Sequence, residues 1–102
     1  MAIKYFSGNP VDQLACFIQK ARDDPRIGTT HLSLYLSLFV FWHSKKWENP
    51  ISIYSHDIMP SGKIAASNTY HRTIRELHRY GYIEYIPSYN HLLGSLVYFI
   101  EF

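Results

Sequence analysis

The stretch Ser67–Pro87, SNTYHRTIRELHRYGYIEYIP, decides the fold. Tyr70, Ile74, Leu77 and Gly81 recur at i, i+4, i+7 and i+11, with Thr73 and Tyr80 beside them. That spacing lays an apolar stripe along one side of an α-helix. Asn68, Arg72, Arg75 and Arg79 repeat on the opposite side, flanked by His71 and His78, and only Glu76 interrupts this basic face. The pattern predicts a helix over about 67–80, closed by Gly81 at the C-terminal cap. The alternation in YIEYIP then predicts a strand.

The exposed face has the chemistry that a duplex requires. Arginine can span guanine O6 and N7 with two hydrogen bonds, and asparagine can do the same on adenine. Ser67, Asn68 and Thr69 place short polar groups at the helix N-terminus, where free N–H groups and the helix dipole favour phosphate. A solvated helix face that carries arginines for solubility would have the same spacing. The stripe alone therefore does not separate the two.

Outward from this stretch, the chain reads as a series of short elements. Asn9 caps and Pro10 opens a helix predicted over about 10–23, with Asp12 in its first turn and Leu14, Phe17, Ile18 and Ala21 at helical spacing. Thr29 or Thr30 would cap a second helix, about 30–45, which is apolar nearly all round except for Ser33 and Ser37 on one face. Such a helix needs cover on more than one side, from the first helix or from a second subunit. Ile51–Tyr54 predicts a short strand, Ser55–Met59 a short helix with Ser55 as its cap, and PSGK a turn. LVYFIEF predicts a last strand that forms a hairpin with YIEYIP through SYNHLLGS. The order is helix, helix, short strand, short helix, helix, strand, turn, strand, an α+β fold in one domain.

With 102 residues, 47% of them hydrophobic and 17% aromatic, the chain can bury a single core. The net charge of +2 is too small to name a partner, but its distribution is uneven. Lys63, Arg72, Arg75 and Arg79 fall between residues 55 and 80 against Asp57 and Glu76, and beyond residue 80 only Glu84 and Glu101 are charged. A lone Cys16 excludes an internal disulfide and fits a reducing compartment. The longest apolar run, Leu32–Trp42, is about half the roughly 20 residues that span a bilayer. No signal-peptide core opens the chain, so a soluble, cytoplasmic protein is expected.

The segment TYHRTIRELHRYGYI resembles the recognition helix of winged helix-turn-helix DNA-binding proteins, a group that includes MarR-like regulators and plasmid and phage replication initiators. Thr69, Tyr70, Arg72, Ile74, Leu77, Gly81 and Ile83 stand in the order that this family repeats. The resemblance covers about residues 30–102, with residues 1–28 as an N-terminal helical extension. It implies a helical bundle with a C-terminal two-stranded wing over about 82–101. It further implies sequence-specific binding of double-stranded DNA by a homodimer, acting as a small transcription regulator or as a mobile-element or phage DNA-binding protein. Ser67, Asn68, Thr69, His71, Arg72 and Arg75 would face the major groove, Lys63 and Arg79 the phosphates, and Tyr89, Asn90 and His91 would act from the wing. The sequence departs from the family in MPSGKIAAS, which lengthens the turn before the helix, and in a wing without Lys or Arg. Leu92 and Leu93 at its tip would be exposed in a monomer. The alternative is a non-catalytic protein-interaction module on the same scaffold.

Other chemistries fit the sequence less well. Six histidines raise the question of zinc, but His71 and His78 are seven residues apart rather than four, and Cys16 has no companion. SGK at Ser61–Lys63 lacks the upstream Gly and downstream Ser/Thr of a phosphate loop, places held by Asp57 and Ile64. His56 and Asp57 are adjacent, which on a helix turns side chains apart. Tyr82, Tyr85, Tyr98 and Phe99 could stack single-stranded bases, although packing in the core and hairpin is the simpler use. No enzyme, metal or cofactor is expected.

Overall fold

The computed structural model describes residues 5–90 and 92–102. Its elements follow the predicted order: α1 Pro10–Arg22, α2 Thr29–Ser44, β1 Ile51–Ile53, α3 Ser55–Ile58, α4 Ser67–Arg79, β2 Ile83–Ile86 and β3 Ser95–Phe99. The strands form one antiparallel sheet in the order β1-β3-β2. The hairpin expected from the sequence is therefore two strands of a three-stranded sheet. Ile51 lies opposite Val97, and Val97 in turn lies opposite Tyr85. This register turns Ile51, Ile53, Ile83, Tyr85, Val97 and Phe99 inward, all buried.

Aromatic rings join the helices to that inner face. Phe17 of α1 stacks on Tyr35 of α2 at 3.6 Å, and Trp42 of α2 stacks on Phe99 of β3 at 4.0 Å. Tyr82 meets Phe17 edge-on, and Phe99 meets Tyr35 in the same way. Each such pair adds about 0.5–1.5 kcal/mol beyond the area it buries. Here α1 covers one side of α2, as the apolar character of α2 requires. Gln13, itself buried, donates to the Tyr35 hydroxyl and to the Ile100 carbonyl, which fixes α1 against the end of β3. Even so, Leu36 and Val40 of α2 remain exposed.

The helix ends explain how the chain turns. Gly81, at φ +85°, takes the left-handed position after α4, with Gly81 N–H on the His78 carbonyl and Tyr82 N–H on the Leu77 carbonyl. This is the paired closure typical of a glycine-ended helix. The same closure occurs after α2 with Lys46 at φ 56°, and in the turn after α3 with Lys63 at φ 56°. MPSGKIAAS is thus an ordered turn: Gly62 N–H reaches the Ile58 carbonyl and Ile64 N–H the Met59 carbonyl. Ser33 and Ser37 of α2 hold this turn by donating to the Gly62 and Ile58 carbonyls, and Ser37 also bonds Ser61. That is the use of the two serines on an otherwise apolar helix.

Two caps differ from expectation. Gly28, not Thr29 or Thr30, precedes α2, and its N–H donates to His31 Nδ1 at 3.0 Å. Tyr54, not Ser55, precedes α3. Both shifts are one residue or little more, the scale on which helix ends vary. Among the described residues no helix is long and apolar enough to cross a membrane.

Candidate functional site

Helix α4 buries Tyr70, Thr73, Ile74 and Leu77 and exposes Asn68, Arg72, Arg75 and Arg79. The Thr73 hydroxyl is satisfied by the Thr69 carbonyl at 2.7 Å, so a polar residue fits on the buried side. Asn68, His71, Arg72, Arg75, Glu76 and Arg79 line one shallow groove of about 280 Å³ along the outer side. The basic stripe read from the sequence is therefore a continuous surface.

The partners of these charges separate them from the other arginines. Arg22 pairs with Asp23 at 3.4 Å, and Arg26 with Asp24 at 2.8 Å. Arg72 and Arg75 have no carboxylate within ion-pair distance among the described residues. Arg79 lies 3.7 Å from Glu76 and rests against the Tyr80 ring. Glu76, the acid that interrupts the stripe, is turned toward α2, where its Oε1 meets His31 Nε2 at 3.0 Å. Its other oxygen accepts from Tyr80 at 3.4 Å. The single acid on this face is thus largely engaged behind the arginines.

The remaining candidates are dispersed. Ser67 is exposed, and its carbonyl accepts from His71 Nδ1 at 2.9 Å, which leaves Nε2 as the free ring nitrogen. Thr69 is half-buried at the same end of the helix. Lys63 is exposed on the α3–α4 turn, and its ammonium group has no partner among the described residues. Tyr89 is 93% exposed on the β2–β3 loop. Asn90 uses its side-chain oxygen to accept from Leu92 N–H at 3.0 Å. His91 lies outside the described residues. Leu92 and Leu93 are 73% and 62% exposed, as expected for a monomer, while Tyr54 donates to the Leu92 carbonyl at 3.2 Å.

Other residues singled out in the sequence fall into place around this face. Tyr82 and Phe99 are fully buried and Tyr85 nearly so, leaving Tyr98 as the half-exposed member of that set. Phe99, in the last predicted strand, is therefore core. His56 and Asp57 approach to 3.6 Å despite being adjacent, both at the surface of a single-turn helix. His78 is tied to β2, its Nδ1 accepting from Tyr85 N–H at 2.9 Å.

The segment between α1 and α2 clamps the C-terminal end of α4, which the sequence does not reveal. Tyr82 donates to Asp24 at 2.8 Å, and the Arg26 guanidinium lies 4.3 Å from the centre of the Tyr80 ring. Hydrogen bonds from Arg26 and then Tyr82 hold the Asp24 carboxyl far below its ordinary range. Burial, and then the bond to Asp24, push the Tyr82 hydroxyl up to about 12. Among the described residues no group of three or more His, Cys, Asp or Glu could hold a metal ion. Comparison of the chain with protein-family models, with curated proteins and with solved structures found no match.

Proposed function

We propose that this protein binds double-stranded DNA through the outer face of α4, in a winged helix-turn-helix arrangement. The observation that carries the reading is the unpaired Arg72–Arg75 surface, continuous with Asn68 and Arg79, whose one acid is drawn off by His31. Helices α3 and α4 then stand as the two helices of the motif and the β2–β3 hairpin as its wing. In the major groove Asn68, Arg72 and Arg75 face base edges and the phosphates that flank them, with Ser67, Thr69 and His71 beside them, while Arg79 and Lys63 hold phosphates further out. Tyr89, Asn90 and His91 supply polar contacts from the wing.

A homodimer follows from the same reading, since Leu36 and Val40 leave an apolar strip on α2 for a second copy. Two such helices would read half-sites about one helical turn apart. Gene regulation and a role in a mobile element or phage both suit it. A rival reading is a protein-docking module, favoured by the uncharged hairpin tip with Tyr89, Leu92 and Leu93 exposed.

Fluorescence anisotropy with a mixed-sequence duplex decides between them. On the DNA reading the protein binds at low salt, and log K falls linearly as log salt rises. A folded protein that leaves the duplex free at low salt sinks this reading and favours the docking module.

A further inference from the structure

A second concavity lies beside the arginine face. It is a cleft of about 390 Å³ between the start of α3, the first turn of α4 and the β2–β3 hairpin. That size falls within the about 300–1,000 Å³ of small-molecule sites. Tyr70 and Tyr85 line it, only 2% and 8% exposed. Neither hydroxyl has a hydrogen bond among the described residues, although buried polar groups are nearly always paired. Among the described residues, the one side-chain polar atom both sealed from solvent and without a partner is Trp42 Nε1. Each unpaired phenol therefore keeps some exposure, and this cleft is the concavity that both residues line.

The lining also defines the ligand. Among the described residues no Lys or Arg borders the cleft. Burial first, then the Tyr85 hydroxyl and last Asp57, raise Tyr70 above the ordinary tyrosine range. An anion is disfavoured there. The polar residues that line it instead both donate and accept: Tyr70, Tyr85, His71, Asn90, Ser55 and Ser88. Tyr54, with the His56 ring roughly parallel at 15°, adds a flat aromatic wall. We propose that this cleft binds a neutral, planar nitrogen heterocycle of nucleobase size, edge-on to the Tyr70 and Tyr85 hydroxyls. The proposal goes beyond the DNA reading and does not depend on it.

The test is a titration of the isotope-labelled protein, followed by its amide NMR spectrum. The probes are adenosine, thymidine, a short single-stranded oligothymidylate and inorganic phosphate. A nucleoside or the oligonucleotide should shift the Tyr54, Ser55, His71 and Asn90 amides saturably. Tyr70→Phe and Tyr85→Phe each remove one hydroxyl and should weaken binding about three- to tenfold, the effect of one neutral hydrogen bond. If Tyr70→Phe disturbs the core, Tyr85→Phe carries the test alone. Tighter binding of the oligonucleotide at these amides assigns the site to bases in a strand, and equal or tighter binding of a nucleoside assigns it to a free small molecule. Both support the proposal. It is overturned if neither probe shifts these amides saturably by about 10 mM, a bound set by binding too weak to matter. It is also overturned if phosphate alone shifts them, or if a folded Tyr85→Phe protein binds like the wild type.

Discussion

Helices α2 and α4 pack against each other and use their surfaces in opposite ways. The sequence of α2 contains no Asp, Glu, Lys or Arg, and its buried residues lie on several sides, against α1, the sheet and the α3 turn. Helix α4 commits Tyr70, Thr73, Ile74 and Leu77 to the core and leaves three arginines outside. The difference separates residues that build the core from residues left free at the surface. A helix covered on most sides, like α2, has only the narrow Leu36–Val40 strip left over, whereas one half-covered and charged on the free half has a whole face to offer. The two meet at His31 and Glu76, where α2 contributes to the charge pattern of α4.

The largest expected effect lies in α2. Trp42→Ala should cost about 3–5 kcal/mol, because it removes the ring stacked on Phe99 and leaves a cavity. Urea unfolding measures this, and a loss below about 1 kcal/mol would mean that α2 is not the support described.

The clamp on the end of α4 should show itself in acid. Asp24 has a folded pKa below the about 3.9 of an unfolded chain, so its contribution is complete above that value. It is lost as pH falls further toward the folded value. The urea midpoint of the wild type should therefore drop more steeply below about pH 4 than that of Asp24→Asn. Matching acid limbs would show that the clamp contributes nothing.

Smaller changes distinguish the two left-handed lysines. Glycine at Lys46 or Lys63 relieves the positive φ and should raise stability by about 0.5–1 kcal/mol. On the DNA reading, Lys63→Gly should also weaken duplex binding, and Lys46→Gly should not. Equal affinities would remove Lys63 from the interface. Glu76→Gln should strengthen duplex binding about two- to fivefold by deleting the acid behind the arginines. Unchanged affinity would show that Glu76, turned toward α2, does not weaken the arginine face.

Much of this architecture is legible in the sequence because its signals are local. Pro10, Gly81 and the 3.6-residue spacing of Tyr70, Ile74 and Leu77 each mark a helix by themselves. The pairing of β1 with β3 joins Ile51 to Val97, and no local pattern encodes a partner so distant in the chain. The His31–Glu76 and Asp24–Tyr82 contacts are hidden for the same reason. Lysine in a left-handed turn runs against its own steric preference, so MPSGKIAAS reads as irregular although it is an ordered closure. The arginine face is legible as a stripe. That Arg72 and Arg75 stand without acidic partners among the described residues emerges only from the fold.

If the free face of α4 is the DNA surface, its arginines must set the salt dependence of duplex affinity. Three proteins suffice to measure it: wild type, Arg72→Ala/Arg75→Ala, and Lys45→Ala/Lys46→Ala at the far end of α2. Replacing the arginine pair should lower affinity and flatten the slope by about 0.9 for each phosphate that the protein no longer neutralises, with folding unchanged. Replacing the lysine pair should leave both near wild type. A lysine variant with a flattened slope beside an arginine variant that binds like wild type would move the DNA surface away from α4.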